Sequence, residues 1–199
     1  MKTPLYGLIL CGGQSSRMGE DKSLLNYHGK PQRYHLYDLL QPFCDQVFIS
    51  CSKQQAESIP QDYHLIVDDE KYSGTGPMAA LLSGFDQFPD AAFLVVGCDY
   101  PFIDKKHFQY ITDERTGLDD AVCYCHQETM INEPLITVYE NTSYKKICCK
   151  FKEKNHSLRS FLNEANTCMI FPENFDFLKS VDDIKTYRIT KELLTAKLN

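Results

Sequence analysis

Seven short apolar runs punctuate the chain: Leu5–Cys11, Gln46–Ser52, His64–Asp68, Ala92–Cys98, Asp120–Tyr124, Pro134–Tyr139 and Cys168–Phe171. They are rich in β-branched and aromatic residues, which favour strands. The first and fourth are apolar without interruption, which suits strands covered on both faces. Helix-like segments lie between the runs: Pro31–Phe43, Pro77–Phe88, Lys105–Thr112, Thr142–Lys152, Ser157–Glu164 and Asp182–Lys197. Two of these begin with proline, a residue favoured in the first helical turn. Strands alternating with helices predict an α/β fold, a three-layer sandwich with a mainly parallel central sheet.

The 199 residues contain no repeat, low-complexity tract or glycine/serine linker. The texture changes once, at the loop-like stretch Arg115-Thr116-Gly117-Leu118-Asp119-Asp120. Before it, glycines and carboxylates sit at strand ends; after it, lysine becomes commoner and glycine rarer. We therefore expect one domain over 1–199, with a nucleotide-binding half (1–115) and a second-substrate half (116–199).

A net charge of −6 offers no general basic surface, so nucleic acid is disfavoured as a partner. The local exception is the cluster Lys145, Lys146, Lys150, Lys152 and Lys154, read either as a solvated helix face or as a contact for an anionic partner. No apolar stretch approaches the ~20 residues of a membrane span, and no apolar leader precedes the first strand. With nine cysteines, an odd number, a reducing cytoplasm with free thiols is expected. No Cys-x-x-Cys pair occurs, so Cys123 and Cys125 read as small core hydrophobes rather than zinc ligands.

Candidate chemistry gathers where the strands end, the place where open α/β sheets bind ligands. The first run passes into Gly12, Gly13, Arg17 and Lys22. Adjacent glycines let backbone approach a polyphosphate, successive N–H groups cradle it, and the two cations add fixed charge. The blander reading has Arg17 and Lys22 as ordinary solvated loop residues. The second run ends at Ser50 and Ser52, and the third at Asp68 and Asp69. The Walker A pattern fails, because Lys22 follows Asp21 rather than glycine. Gly74-Thr75-Gly76-Pro77-Met78-Ala79 fits the dinucleotide fingerprint only weakly. Gly76 as a cap and Pro77 as the first helical residue is the simpler reading, with the helix N–H groups facing the cleft. Asp99 ends the fourth run just before Tyr100-Pro101. It suits Mg²⁺, which takes one or two carboxylates and completes its shell with water and substrate phosphates; the plainer alternative is a turn or helix-cap aspartate.

Leu10-Cys11-Gly12-Gly13-x-Ser-x-Arg17-Met18-Gly19-x-Asp21-Lys22 resembles the signature of nucleotidyltransferases with the Rossmann-like nucleotide-diphosphosugar transferase fold. Within that group the chain is most similar to the molybdenum cofactor guanylyltransferase family. Gly76-Pro77-Met78-Ala79-Ala80 resembles that family's Gly-Pro-Leu-Ala-Gly, Cys98-Asp99-Tyr100-Pro101 its Cys-Asp-x-Pro, and Glu133-Pro134-Leu135 also fits. The resemblance places Leu10, Cys11, Gly12 and Gly13 in the loop that contacts the guanine nucleotide. It places Lys22 on a phosphate-binding lysine, Asp69 on a nucleotide-binding carboxylate and Asp99 on the Mg²⁺ ligand. Three departures stand out. Cys11 replaces a usual alanine, Ser50 stands where a base-contacting asparagine is common, and Ser180-Val181-Asp182 replaces a late Asn-x-Asn.

The resemblance implies a Mg²⁺-dependent enzyme that transfers GMP from GTP to molybdenum-bound molybdopterin and releases pyrophosphate. Lys22, Arg17 and Asp99 would be its catalytic groups. Arg159 is the candidate contact for the pterin phosphate, or else an ion-pair residue. A molybdoenzyme or chaperone contact is compatible with that role. Two alternatives stay open: a relative using CTP on the pterin, or another nucleotide on a sugar or polyol phosphate, and a regulatory protein that binds nucleotide without turning it over.

Overall fold

The apolar runs become a single sheet. A computed structural model describes residues 3–11 and 21–196. The strands are β1 (Leu5–Leu10), β2 (Gln46–Cys51), β3 (Leu65–Val67), β4 (Ala92–Gly97), β5 (Ala121–His126), β6 (Ile131–Tyr139) and β7 (Thr167–Ile170). They lie in the order β3-β2-β1-β4-β6-β5-β7. All neighbours are parallel except β6, which runs antiparallel to both β4 and β5.

The helices are α1 (Gln32–Leu40), α2 (Lys53–Ala56), α3 (Pro77–Gln87), α4 (Lys105–Asp113), α5 (Ser143–Lys152), α6 (Leu158–Glu164) and α7 (Ile184–Ala196). Alternation along each strand divides the core into two layers. Ile9, Ile49, Leu94, Val96 and Val122 pack with Leu36 and Leu40 of α1 and Phe108 and Ile111 of α4. Leu8, Phe48, Phe93 and Val95 face α3, Ile147 of α5 and Phe161 of α6. The central strand β4 is covered on both sides: Phe93, Leu94, Val95 and Val96 are wholly buried, each stabilising the fold by roughly 1.5–3 kcal/mol.

Local chemistry sets the ends of the elements. Gly76 caps α3 at φ +60°, which glycine adopts without strain, and Pro77 is the first helical residue as expected. Pro31 behaves differently: its ψ of 138° makes it the cap of α1 rather than its first turn. That helix also ends at Leu40, short of the expected Phe43. The small helix α2 was not evident from apolar periodicity; a reciprocal cap between Ser52 and Gln55 forms it.

Among the cysteines, Cys123 and Cys125 are fully buried, with a register shift between them. All nine cysteines are free. Of the clustered lysines, Lys146 pairs with Asp120 at 2.6 Å and Lys150 pairs with Glu164. Among the described residues no helix is long and apolar enough to cross a membrane.

Where the chain leaves the first four strands for the last three, Arg115 is buried against Glu140, the residue that follows β6. Its Nη2 donates to Glu140 Oε2 at 2.9 Å and to the carbonyl of Thr3 at 2.9 Å. The bidentate pair ties the start of the chain to the end of β6.

Candidate active site

β1, β2, β3 and β4 are parallel, so their C-terminal ends share one rim. The reversal of β6 brings its beginning, Ile131 to Glu133, to that same rim, beyond the end of β4. Residues from both parts of the sequence therefore converge there.

Asp99 lies two residues past β4, largely buried. The backbone of Gly97 makes room for it: a Cβ there would stand 2.5 Å from Asp99 Oδ1. Burial pushes the Asp99 carboxyl up to about 6. Its own backbone N–H and the Lys22 ammonium act in the opposite sense, while the carboxylates of Asp182 and Glu133 add to the rise. No side chain among the described residues donates a hydrogen bond to it.

Lys22 sits in a short 3₁₀ turn, Lys22–Leu24, capped by Asp21, whose Oδ1 accepts from Ser23 N at 2.9 Å. The Lys22 ammonium donates to Asp182 Oδ1 at 2.6 Å, joining segments 160 residues apart. The Val181 N–H donates to the Asp99 carbonyl at 2.9 Å, so the Ser180-Val181-Asp182 segment is docked beside Asp99. Asp21 Oδ2 accepts from Gln55 Nε2 at 2.8 Å, and the same amide reaches the Cys11 carbonyl at 3.3 Å. Gln55 thus links the end of β1 to the turn bearing Lys22.

On the α3 side of the sheet a cleft of about 660 Å³ opens beside Leu10, lined among others by Asp68, Asp69, Gly76 and Pro77. The start of α3, the positive end of its dipole, belongs to this wall. Ser50 is wholly buried, and its hydroxyl donates to Asp68 Oδ1 at 2.6 Å. Burial raises the Asp68 carboxyl above the usual range, against the effect of the Ser50 hydrogen bond. Asp69 caps the turn Glu70–Tyr72 by accepting from Lys71 N at 2.9 Å. That backbone donor, followed by the Lys71 side chain, holds its carboxyl low.

Of the residues singled out in the sequence, Leu10 and Asp69 line one cleft, and Lys22, Asp99 and Asp182 form one electrostatic group. Ser50 lies beneath the cleft rather than on its surface. Cys11 is buried with its Sγ 3.8 Å from that of Cys98. Gly12, Gly13 and Arg17 lie outside the described residues. Arg159 is exposed; its Nε donates to the Asn132 carbonyl at 3.0 Å, and its charge reaches the Tyr100 hydroxyl, which is hydrogen-bonded to Glu133. No carboxylate among the described residues pairs with Arg159.

Sequence reasoning missed Gln55 and the role of Asp68. A capping pattern, Ser52 followed three residues later by Gln55, was the available signal for the first. The second depends on a bond between strands and carries no local mark.

The chain matches the model of the MobA-like NTP transferase domain over residues 7–168. It is 29% identical over 187 residues to the molybdenum cofactor biosynthesis bifunctional protein of Synechocystis, covering 94% of this chain but about half (53%) of that longer protein. It is 28% identical over 191 residues to a probable molybdenum cofactor guanylyltransferase of Bacillus cereus, covering 91% of this chain and 92% of the relative. Among solved structures, molybdopterin-guanine dinucleotide biosynthesis protein A from Archaeoglobus fulgidus superposes with a TM-score of 0.79 at 18% identity, over 96% of this chain and 99% of that one. The fold is accordingly of the nucleotide-diphosphosugar transferase type, as expected, and the chain belongs to the MobA-like NTP transferase family.

Proposed function

We propose that this nucleotidyltransferase moves GMP from GTP onto the terminal phosphate of molybdenum-bound molybdopterin, releasing pyrophosphate. The observation that carries the reading is the rim itself. A cation, Lys22, acts on a largely buried carboxylate, Asp99, at the same end of the sheet as a cleft walled by carboxylates and by the start of α3. The names borne by the Synechocystis and Bacillus relatives support the molybdenum cofactor precursor as acceptor.

In this proposal Leu10, Cys11, Gly12, Gly13, Ser50 and Asp69 serve the nucleotide, and the start of α3 turns the positive end of its dipole toward it. Lys22, with Arg17, stabilises negative charge on the phosphate under attack and on departing pyrophosphate. Asp182 orients Lys22 through their 2.6 Å contact. The pterin phosphate is already ionised near neutrality, so the protein needs only to place it in line. Arg159, whose Nε donates to the Asn132 carbonyl, is the residue assigned to it in this reading. Residues 1–115 thus serve the nucleotide and 116–199 the acceptor, within one domain. A cytoplasmic setting, where GTP is available and thiols stay reduced, belongs to the same reading.

Magnesium fits the donors present. Asp99 is a hard oxygen ligand, largely buried and without a side-chain donor among the described residues, in the space that Gly97 leaves open. Among the described residues no group of three or more His, Cys, Asp or Glu could hold a metal ion; Mg²⁺ bound with substrate phosphates needs only one or two carboxylates. Bound there, the ion would neutralise phosphate charge.

The test is pyrophosphate release by the purified chain with each of GTP, CTP, ATP and UTP, with and without molybdenum-bound pterin. Release that requires both GTP and the pterin is expected. Preference for CTP would move the chain to a cytidylyl role, and release dependent on a sugar phosphate would replace the acceptor.

A further inference from the structure

The amide of Gln55 meets three separate places along the rim. Its Oε1 accepts from Ser52 N at 3.0 Å, completing the reciprocal cap of α2. Its Nε2 donates to Asp21 Oδ2 at 2.8 Å and to the Cys11 carbonyl at 3.3 Å, so both of its N–H groups are engaged. Glutamate serves this position of a capping box as well as glutamine does, because the cap asks only for an acceptor. Glutamine alone also has N–H groups to give. The choice of residue is therefore explained by Asp21 and Cys11 rather than by α2. Cys11 is itself tied to β2, its N–H donating to the Ser50 carbonyl at 3.1 Å, so the frame to which Gln55 joins Asp21 is the sheet. Asp21 passes the restraint on. While Oδ2 holds Gln55, Oδ1 accepts from Ser23 N at 2.9 Å and from Ser23 Oγ at 2.7 Å, and Ser23 is buried. Lys22 lies between these two fixed residues, and its ammonium is held by Asp182. One anchor thus sets the backbone of Lys22 and another its charged end.

We infer that Gln55 is a positioning residue for Lys22: through Asp21 it fixes the turn Lys22–Leu24 against the ends of β1 and β2, so that the ammonium stands where charge develops during nucleotidyl transfer. The inference rests on Lys22 acting in that transfer, as proposed above, and not on which nucleotide or acceptor is used. A hydrogen bond from an amide to a carboxylate is charge-assisted, and stronger than one between neutral groups. A drift of about 1 Å at a reacting centre costs about 100-fold in rate, so a contact that prevents so small a movement matters. The charge that Lys22 meets grows toward the transition state. Displacing it therefore lowers kcat and leaves the KM for the nucleotide nearly unchanged.

The experiment is steady-state pyrophosphate release by the full chain, comparing wild type with Gln55→Glu, Gln55→Met, Ser58→Ala and the double variant Asp21→Asn/Gln55→Glu, each checked by thermal unfolding. Gln55→Glu keeps the acceptor for Ser52 N but sets a carboxylate against Asp21. Its kcat should fall about 100-fold, with the KM for the nucleotide within about threefold of wild type. The double variant turns the contact round, the new amide at position 21 donating to the carboxylate at 55, and should recover about tenfold of that loss. Gln55→Met, uncharged and close in size, should lose about tenfold in kcat, and it carries the test if the charged variant does not fold. Ser58→Ala removes a 2.7 Å bond onto the Gln55 carbonyl without touching the amide, and should turn over as wild type does. Wild-type kcat in the Gln55 variants, or a loss confined to KM, overturns the inference and leaves Gln55 as a cap of α2. So does a double variant as slow as Gln55→Glu. Rates are read with whichever nucleotide the wild type uses: preference for CTP overturns the guanylyl reading and leaves the inference standing, whereas turnover that survives Lys22→Ala overturns the inference itself.

Discussion

Gly97 and Asp99 compete for one volume: a methyl group on Gly97 would stand 2.5 Å from Oδ1 of Asp99, with Tyr100 Cε2 at 3.2 Å and Leu135 Cδ1 at 3.5 Å. The bare backbone at Gly97 therefore sets where the carboxylate can sit. Gly97→Ala should push the Asp99 side chain aside, and a displacement of about 1 Å at a reacting centre costs about 100-fold in turnover. The overpacking should cost about 1–3 kcal/mol of stability. Steady-state kinetics with thermal unfolding checks both, and turnover within twofold of wild type would show that the position of Asp99 is unimportant.

Lys22→Ala should lower turnover by about 10²–10³-fold, the usual effect of removing one donor that stabilises developing charge. Asp182→Asn should produce a smaller fall in the same direction by freeing the Lys22 side chain. Stability should hardly move, because the pair is partly exposed, 25% and 57%, and such pairs contribute at most about 1 kcal/mol. Single-turnover rates with saturating GTP separate this from weakened binding. An Asp182→Asn protein with wild-type rates would remove its orienting role.

Glu140→Ala leaves Arg115 charged and buried, with the Thr3 carbonyl as its remaining partner among the described residues. Breaking a buried pair in this way costs about 3–5 kcal/mol. In a chain of this size that corresponds to a fall of roughly 10 °C in melting temperature. Activity per folded molecule should be unchanged at low temperature. Denaturant unfolding measures the loss, and a change under 1 kcal/mol would show that the pair is not needed to join the two ends of the sheet.

His35 stacks on His28 with ring centroids 3.8 Å apart. Burial, together with the neighbouring His28 and Lys30, lowers its pKa to about 4 from an ordinary 6.5. The folded chain therefore keeps His35 neutral where the unfolded chain takes up a proton. Its contribution is complete above pH 6.5 and is lost as pH falls toward 4. Between pH 7 and 5 the wild type should lose about 1–2 kcal/mol more than His35→Phe, which keeps a flat ring in the stack. Parallel pH profiles of unfolding free energy for the two proteins would sink this assignment.

Much of the fold was legible because it is locally encoded. Continuous apolar runs such as Phe93–Val96 mark strands covered on both faces, and Gly76-Pro77 announces a helix start through backbone chemistry alone. Strand direction is not encoded in this way: the alternation along Ile136, Val138 and their polar neighbours reads the same forwards and backwards, so the reversal of β6 was invisible. The site divides similarly. Lys22 and Asp99 stood out through their motifs, whereas the Lys22–Asp182 contact and the Ser50–Asp68 bond join residues 160 and 18 positions apart. Such pairs exist only once strand order is settled. The proline at 31 misled because a fixed φ suits a cap as well as a first turn.

The backward course of β6 has a further consequence. Its opening residues stand at the rim, and the exposed bend that precedes them, from Gln127 to Met130, projects outward from the sheet. That bend can be lengthened, trimmed or exchanged without shifting the ends of β1 to β4. A fold wired like this leaves one stretch of the rim open to change at a hairpin tip while the ends of the four parallel strands beside it stay as they are.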